Sequence, residues 1–155
     1  MSGPLANKYC YIHKSQNSQN EHLSNFYKKA NIDYEIFNFT NKIIDYYSQV
    51  NLVITRSGAS VLGELINLKI PFISVPLPSS ADNHQLKNAI YYQKKGFGFL
   101  IEEKDLNNEL YVLIKTIYSK KSLIKNILIN QSQYSDKNIF QNINNHIKKI
   151  INEKN

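Results

Sequence analysis

Two short polar runs could do chemistry, and each sits where a buried strand hands over to a helix. The first is Arg56-Ser57-Gly58-Ala59-Ser60, followed by Glu64. Gly58 permits a tight turn and a close ligand approach. The free N–H groups of the helix start, at Ala59 to Val61, favour an anion such as a diphosphate. Glu64 falls about one turn inside the helix, where a carboxylate can accept two hydrogen bonds from a ribose diol. An ordinary strand-to-helix turn, with Ser60 as N-cap and Glu64 in solvent, fits the same pattern.

The second run is residues 75–85 (VPLPSSADNHQ), followed by Asn88. Its two prolines fix an extended exit from the sheet. Asp82, Asn83, His84 and Gln85 are then expected to crowd the first helical turn. Asn and Gln amides both donate and accept, which suits sugar hydroxyls. The plainer alternative is that Asp82 caps the helix and the others are surface residues. Together the runs offer anion donors, a diol acceptor and amides, a set that fits a nucleoside diphosphate sugar. Neither a Walker lysine motif nor GxGxxG is present, so ATP and NAD fit poorly.

The elements that must position these residues alternate. Strands are expected at 9–13, 34–37, 52–55, 72–75 and 97–101. Helices are expected at 19–29, 41–48 (Thr40 as N-cap), 60–68, 82–95 (closed by Gly96) and 105–118 (capped by Asp105), then near 121–131 and 136–151. Strands apolar on both faces, alternating with helices, predict an α/β fold: a Rossmann-like parallel sheet with flanking helices and extra carboxyl-terminal helices. Ligands in such sheets sit at the carboxyl ends of the strands, after Thr55 and Val75 here. Residues 1–8 read as an irregular segment and 9–155 as one domain.

Composition narrows the class. Hydrophobic residues make up 42%, enough for a packed core. The single cysteine, Cys10, excludes an internal disulfide framework and a Cys-based zinc site. No apolar run of about 18 residues is present, and the amino terminus lacks a signal-peptide pattern, so a cytoplasmic protein is expected. The net charge is +7, and residues 104–155 hold nine Lys against four acidic residues. Scattered lysines with almost no Arg read as a solvated helical surface, and no nucleic-acid partner is expected. His13, His22 and His146 read as packing or surface residues.

The run from 51 to 101 resembles the corresponding stretch of the MurG-type N-acetylglucosaminyltransferases, glycosyltransferase family 28. The residues that carry the likeness are RSGAS with Glu64, and VPLP…ADNHQ with Asn88-Ala89; weaker similarity runs back to Tyr9. The resemblance implies the carboxyl-terminal, donor-binding half of a GT-B fold. It implies an enzyme that moves GlcNAc from UDP-GlcNAc to lipid I, giving lipid II for peptidoglycan, without a metal or other cofactor, at the cytoplasmic face of the inner membrane. It further implies that Thr40 holds the uracil through its backbone. Gly58, Ala59, Ser60, Val61, Leu62, Gly63 and Glu64 would contact phosphate and ribose, with Glu64 on the ribose hydroxyls. Gln85, with His84, would read the GlcNAc hydroxyls. No catalytic residue is assigned on this chain.

The family's amino domain, which takes the lipid-linked acceptor, has no counterpart here, and neither has the carboxyl domain's own first strand with its glycine-rich phosphate loop. The expectation is therefore a fragment, or one half of an enzyme completed by a second polypeptide, inactive alone. Strand 9–13 would face strand 52–55 across a gap or pair with it directly. Two other readings stay open: the soluble subunit of a two-chain GlcNAc transferase, and a non-enzymatic nucleotide-sugar-binding remnant.

Overall fold

A computed structural model describes residues 10–14 and 19–134. The helix expected at 136–151, segment 1–8 and His146 lie outside the described residues, as does the side chain of His13. The chain divides into two compact units, the first ending at Gln49 and the second starting at Val50.

The first unit is a βαβ element with a short helix after it. Strand β1 (Cys10–Lys14) leads to helix α1 (Asn20–Lys29), strand β2 (Asp33–Phe37) and helix α2 (Ile43–Tyr47). β1 and β2 are parallel, with Cys10 opposite Asp33 and Lys14 opposite Phe37. Tyr27, the buried residue of α1, stacks on Tyr34 with ring centroids 5.1 Å apart. Phe37 stacks on Tyr46 at 4.7 Å, and the Tyr46 hydroxyl donates to Glu35. That bond to a carboxylate holds the Tyr46 phenol above its usual pKa. Thr40 is not the N-cap of α2. The cap position is Lys42, and Thr40 Oγ1 instead accepts the Lys42 N–H at 3.0 Å, a local turn that competes with capping.

The second unit carries strands β3 (Val53–Thr55), β4 (Phe72–Ser74) and β5 (Phe99–Leu100), parallel in the order β3-β4-β5. Helix α3 (Ala59–Asn67) joins β3 to β4. Helix α4 (His84–Lys94) joins β4 to β5. Helices α5 (Leu106–Ser119) and α6 (Lys121–Gln133) follow. The expected parallel α/β architecture is therefore present. Among the described residues β1 pairs with β2 in the first unit, and β3 pairs with β4 in the second. Each strand pairs with the neighbour its crossover helix delivers, as in a βαβ unit.

Central β4 is buried throughout, while Ile54 on edge strand β3 stays half-exposed. Ile73, Ile101 and Ile117 form a core that Leu106, Leu110 and Leu113 of α5 and Leu123 and Ile124 of α6 complete. α6 is also tied down by polar bonds. Buried Gln131 donates through Nε2 to the carbonyls of Ile70 (3.1 Å) and Phe97 (2.7 Å), and Asn130 donates to Gly96 O at 3.1 Å. These helices pack the back of the fold, as the sequence suggested.

Three helices end by one device. Asn31, Lys69 and Gly96 follow α1, α3 and α4 with φ of 53°, 57° and 69°. The next residue's N–H bonds back across the turn in each case: Ile32 to Tyr27 O, Ile70 to Leu65 O and Phe97 to Tyr92 O. This Schellman closure reverses the chain into the following strand.

Candidate functional site

The site is built at the carboxyl ends of β3, β4 and β5, all within the second unit. After β3 the chain passes Arg56 and Ser57 and enters α3 at Ala59, with Gly58 at the N-cap and no side chain capping it. Ser60 is thus one position inside the helix and is not the cap. The first intrahelical bond is Leu62 N–H to Gly58 O, so the amides of Ala59, Ser60 and Val61 precede the ladder. An uncapped start of this kind presents several N–H donors and the positive end of the helix dipole in one direction.

Gly58 has φ −66° and ψ 136°, a conformation open to any residue. The tight-turn reason for a glycine there does not hold. What the missing side chain leaves is room: a Cβ at Gly58 or at Gly63 would meet nothing within 4 Å. Glu64 is exposed, so its carboxylate is free to accept from a ligand. Leu62 has no such freedom, because its side chain is fully buried and its N–H closes the first helical turn. Val61 is half-buried.

After β4 the chain runs through Pro76 and Pro78 into a 3-10 turn, Ala81–Asn83. Asp82 and Asn83 have φ of 49° and 53°. They stand outside α4, so Asp82 is not its cap, and only His84 and Gln85 occupy the first helical turn. Short polar side chains tolerate this left-handed backbone better than others, and two in succession rotate α4 relative to the loop that feeds it. His84 is exposed, with its Nδ1 2.8 Å from the carbonyl of Ala81. A carbonyl can only accept, so Nδ1 carries the proton of this bond, and Nε2 is left to meet a ligand.

Gln85 is committed differently. Its Oε1 accepts the Ser57 N–H at 3.2 Å and the Leu77 N–H at 3.0 Å, which uses both lone pairs. Only its Nε2 donors remain to meet a ligand. Asn88 donates from Nδ2 to the Ser57 carbonyl at 3.1 Å. Ser57 is fully buried, and its Oγ has no hydrogen-bond partner among the described residues. Arg56 pairs with Glu103, which follows β5, and reaches the carbonyl of Pro76 at 3.5 Å.

Of the residues picked out by sequence, Gly58, Ala59, Ser60, Val61, Gly63, Glu64, His84 and Gln85 thus lie on two adjoining strand-to-helix connections, stitched together through Gln85. Thr40 belongs to the first unit. The bonds from Asn88 to Ser57 and from Arg56 to Glu103 were not foreseen. Asn88 lies three residues after Gln85, hence on the same helix face, and that spacing was the available signal. No local pattern links Arg56 to Glu103. Among the described residues no group of three or more His, Cys, Asp or Glu could hold a metal ion, and no helix is long and apolar enough to cross a membrane.

A crystal structure of MurG from Acinetobacter baumannii superposes with a TM-score of 0.75 at 23% identity, over 90% of this chain and 43% of that one. Two curated relatives are both named UDP-N-acetylglucosamine–N-acetylmuramyl-(pentapeptide) pyrophosphoryl-undecaprenol N-acetylglucosamine transferase. The one from Pelagibacter ubique is 37% identical over 146 residues, spanning 92% of this chain and 40% of the relative. The one from Rickettsia bellii is 34% identical over 111 residues, spanning 68% and 31%. The chain therefore spans well under half the length of these relatives. The glycosyltransferase family 28 C-terminal domain model matches residues 3–149, and the chain belongs to that family.

Proposed function

We propose that this chain is the donor-binding part of a transferase that moves GlcNAc from UDP-GlcNAc to a lipid-linked acceptor, the lipid I to lipid II step of peptidoglycan synthesis. The observation that carries the reading is the uncapped start of α3 beside open Gly58, with Glu64 exposed on the same helix. Membership of the family and the names of the relatives support it.

In this reading the amides of Ala59, Ser60 and Val61 take the diphosphate, and Glu64 accepts from the ribose hydroxyls. As the sugar–phosphate bond breaks, negative charge grows on the leaving UDP, and preoriented N–H groups stabilise it without reorganising. His84 Nε2 accepts from a sugar hydroxyl, and Gln85 Nε2 donates to one. No metal takes part. The base that deprotonates the acceptor hydroxyl comes from outside this chain, from an acceptor-binding domain or a second polypeptide. The whole enzyme works at the cytoplasmic face of the membrane that carries its acceptor. This chain alone binds donor and does not turn over.

Amide chemical shifts of the labelled chain, followed during addition of UDP-GlcNAc, test the assignment. Shifts concentrated at 58–64 and 84–85 are expected. Saturable shifts confined to other segments would overturn it.

A further inference from the structure

Ser57 is a buried residue whose backbone is gripped at both ends by one helix. Its N–H is bound by Gln85 Oε1 and its carbonyl by Asn88 Nδ2. Gln85 and Asn88 are three apart on α4, so they project from the same face. The same Gln85 oxygen also takes the Leu77 N–H. Ser57 immediately precedes Gly58, the N-cap from which the free amides of α3 begin. Fixing both polar groups of Ser57 fixes the peptide planes on either side of it, and hence the direction in which α3 presents its first N–H groups.

We propose that Gln85 and Asn88 form a clasp that positions the amino-terminal amides of α3. Gln85 is then a positioning residue through its side-chain oxygen, whose partners are backbone N–H groups. This rests on the donor-binding reading above and refines it. Two features support the assignment. The Gln85 acceptor is saturated by two backbone donors, so replacing it leaves the part-buried Ser57 N–H and the exposed Leu77 N–H without this partner. The clasp also joins the segments after β3 and β4, so its loss affects whatever binds between them, with or without a sugar attached. A residue that reads the sugar would instead matter only when the sugar is present.

The test uses the full chain and two readouts. Amide hydrogen exchange at Ser57 and Leu77 is measured in wild type, Gln85→Met, Gln85→Glu and the shorter Gln85→Asn. UDP and UDP-GlcNAc are titrated separately into wild type, Gln85→Met and Gln85→Asn, with thermal unfolding as a check that each is folded. Exchange at both amides is expected to quicken at least tenfold in Gln85→Met and Gln85→Asn. It should stay slow in Gln85→Glu, whose carboxylate accepts both N–H groups. Affinity for UDP is expected to fall about tenfold, and that for UDP-GlcNAc by at least as much. Unchanged exchange at Ser57 and Leu77 overturns the clasp, and so does a loss confined to UDP-GlcNAc. If wild type binds neither nucleotide, the donor-binding reading falls, and the exchange data still decide whether the clasp exists.

Discussion

The guanidinium of Arg56 pairs with the carboxylate of Glu103 and reaches the carbonyl of Pro76, so one side chain links the segments leaving β3, β4 and β5. Both partners of the pair are nearly half-exposed, at 49% and 42%, and water screens them. An exposed pair of this kind contributes about 0.2–1 kcal/mol. Glu103→Gln should therefore lower unfolding stability by no more than about that amount, and the deficit should vanish at high salt. Urea titrations at two ionic strengths check both points. A salt-insensitive loss of several kcal/mol would show that the link is structural in a way its exposure does not allow.

The glycines separate room for a ligand from room for the fold. A Cβ at Gly98 would lie 2.4 Å from the ring of Phe72, the largest fully buried side chain. Gly98→Ala should destabilise the chain by about 1–3 kcal/mol through overpacking. Gly63 lies inside α3 with nothing near its missing side chain. Gly63→Ala should stabilise the free chain by about 0.5–1 kcal/mol, the helix-propensity gain. Gly58→Ala should leave the backbone unchanged yet weaken UDP binding, because the methyl group occupies the ligand's approach. Thermal unfolding with and without UDP distinguishes the three. Tighter UDP binding by Gly58→Ala would contradict the proposed approach path.

Lys69 closes α3 with φ 57°, where an L side chain costs about 1–2 kcal/mol over glycine. It is exposed, so nothing in the core depends on its side chain. Lys69→Gly relieves the strain but adds freedom to the unfolded chain, and a net gain of about 0.5–1 kcal/mol is expected. Denaturant unfolding measures it directly. A loss of stability would mean that the lysine stem packs against α3 more than its exposure suggests.

Much of this organisation was legible because it is local. The apolar runs at 52–55 and 72–75 marked β3 and β4, and Gly96 marked the end of α4, since period and turn chemistry act over a few residues. The RSGAS and ADNHQ runs marked the two loops for the same reason. What stayed hidden is set by tertiary needs. Asp82 reads as a helix cap in sequence, yet it adopts a left-handed backbone that turns α4 toward Ser57. Thr40 looks like a cap but bonds two residues on, before α2 begins. Lys69 carries no sequence mark of a helix C-terminus, because its conformation is imposed by the Ile70 bond back to Leu65. Gln85 gives no local sign that its oxygen is spent on the backbone of Ser57 and Leu77.

The central claim is that the α3 start and Glu64 hold a UDP-sugar, and calorimetric titration of UDP-GlcNAc into wild type and Glu64→Ala tests it most directly. Glu64 is exposed, so the substitution should leave the unfolding temperature unchanged. Saturable binding to wild type, weakened in Glu64→Ala by about 1–3 kcal/mol as ribose hydroxyls lose their acceptor, is the predicted result. Equal binding by the two proteins, or no heat from a cooperatively folded wild-type sample, would contradict it.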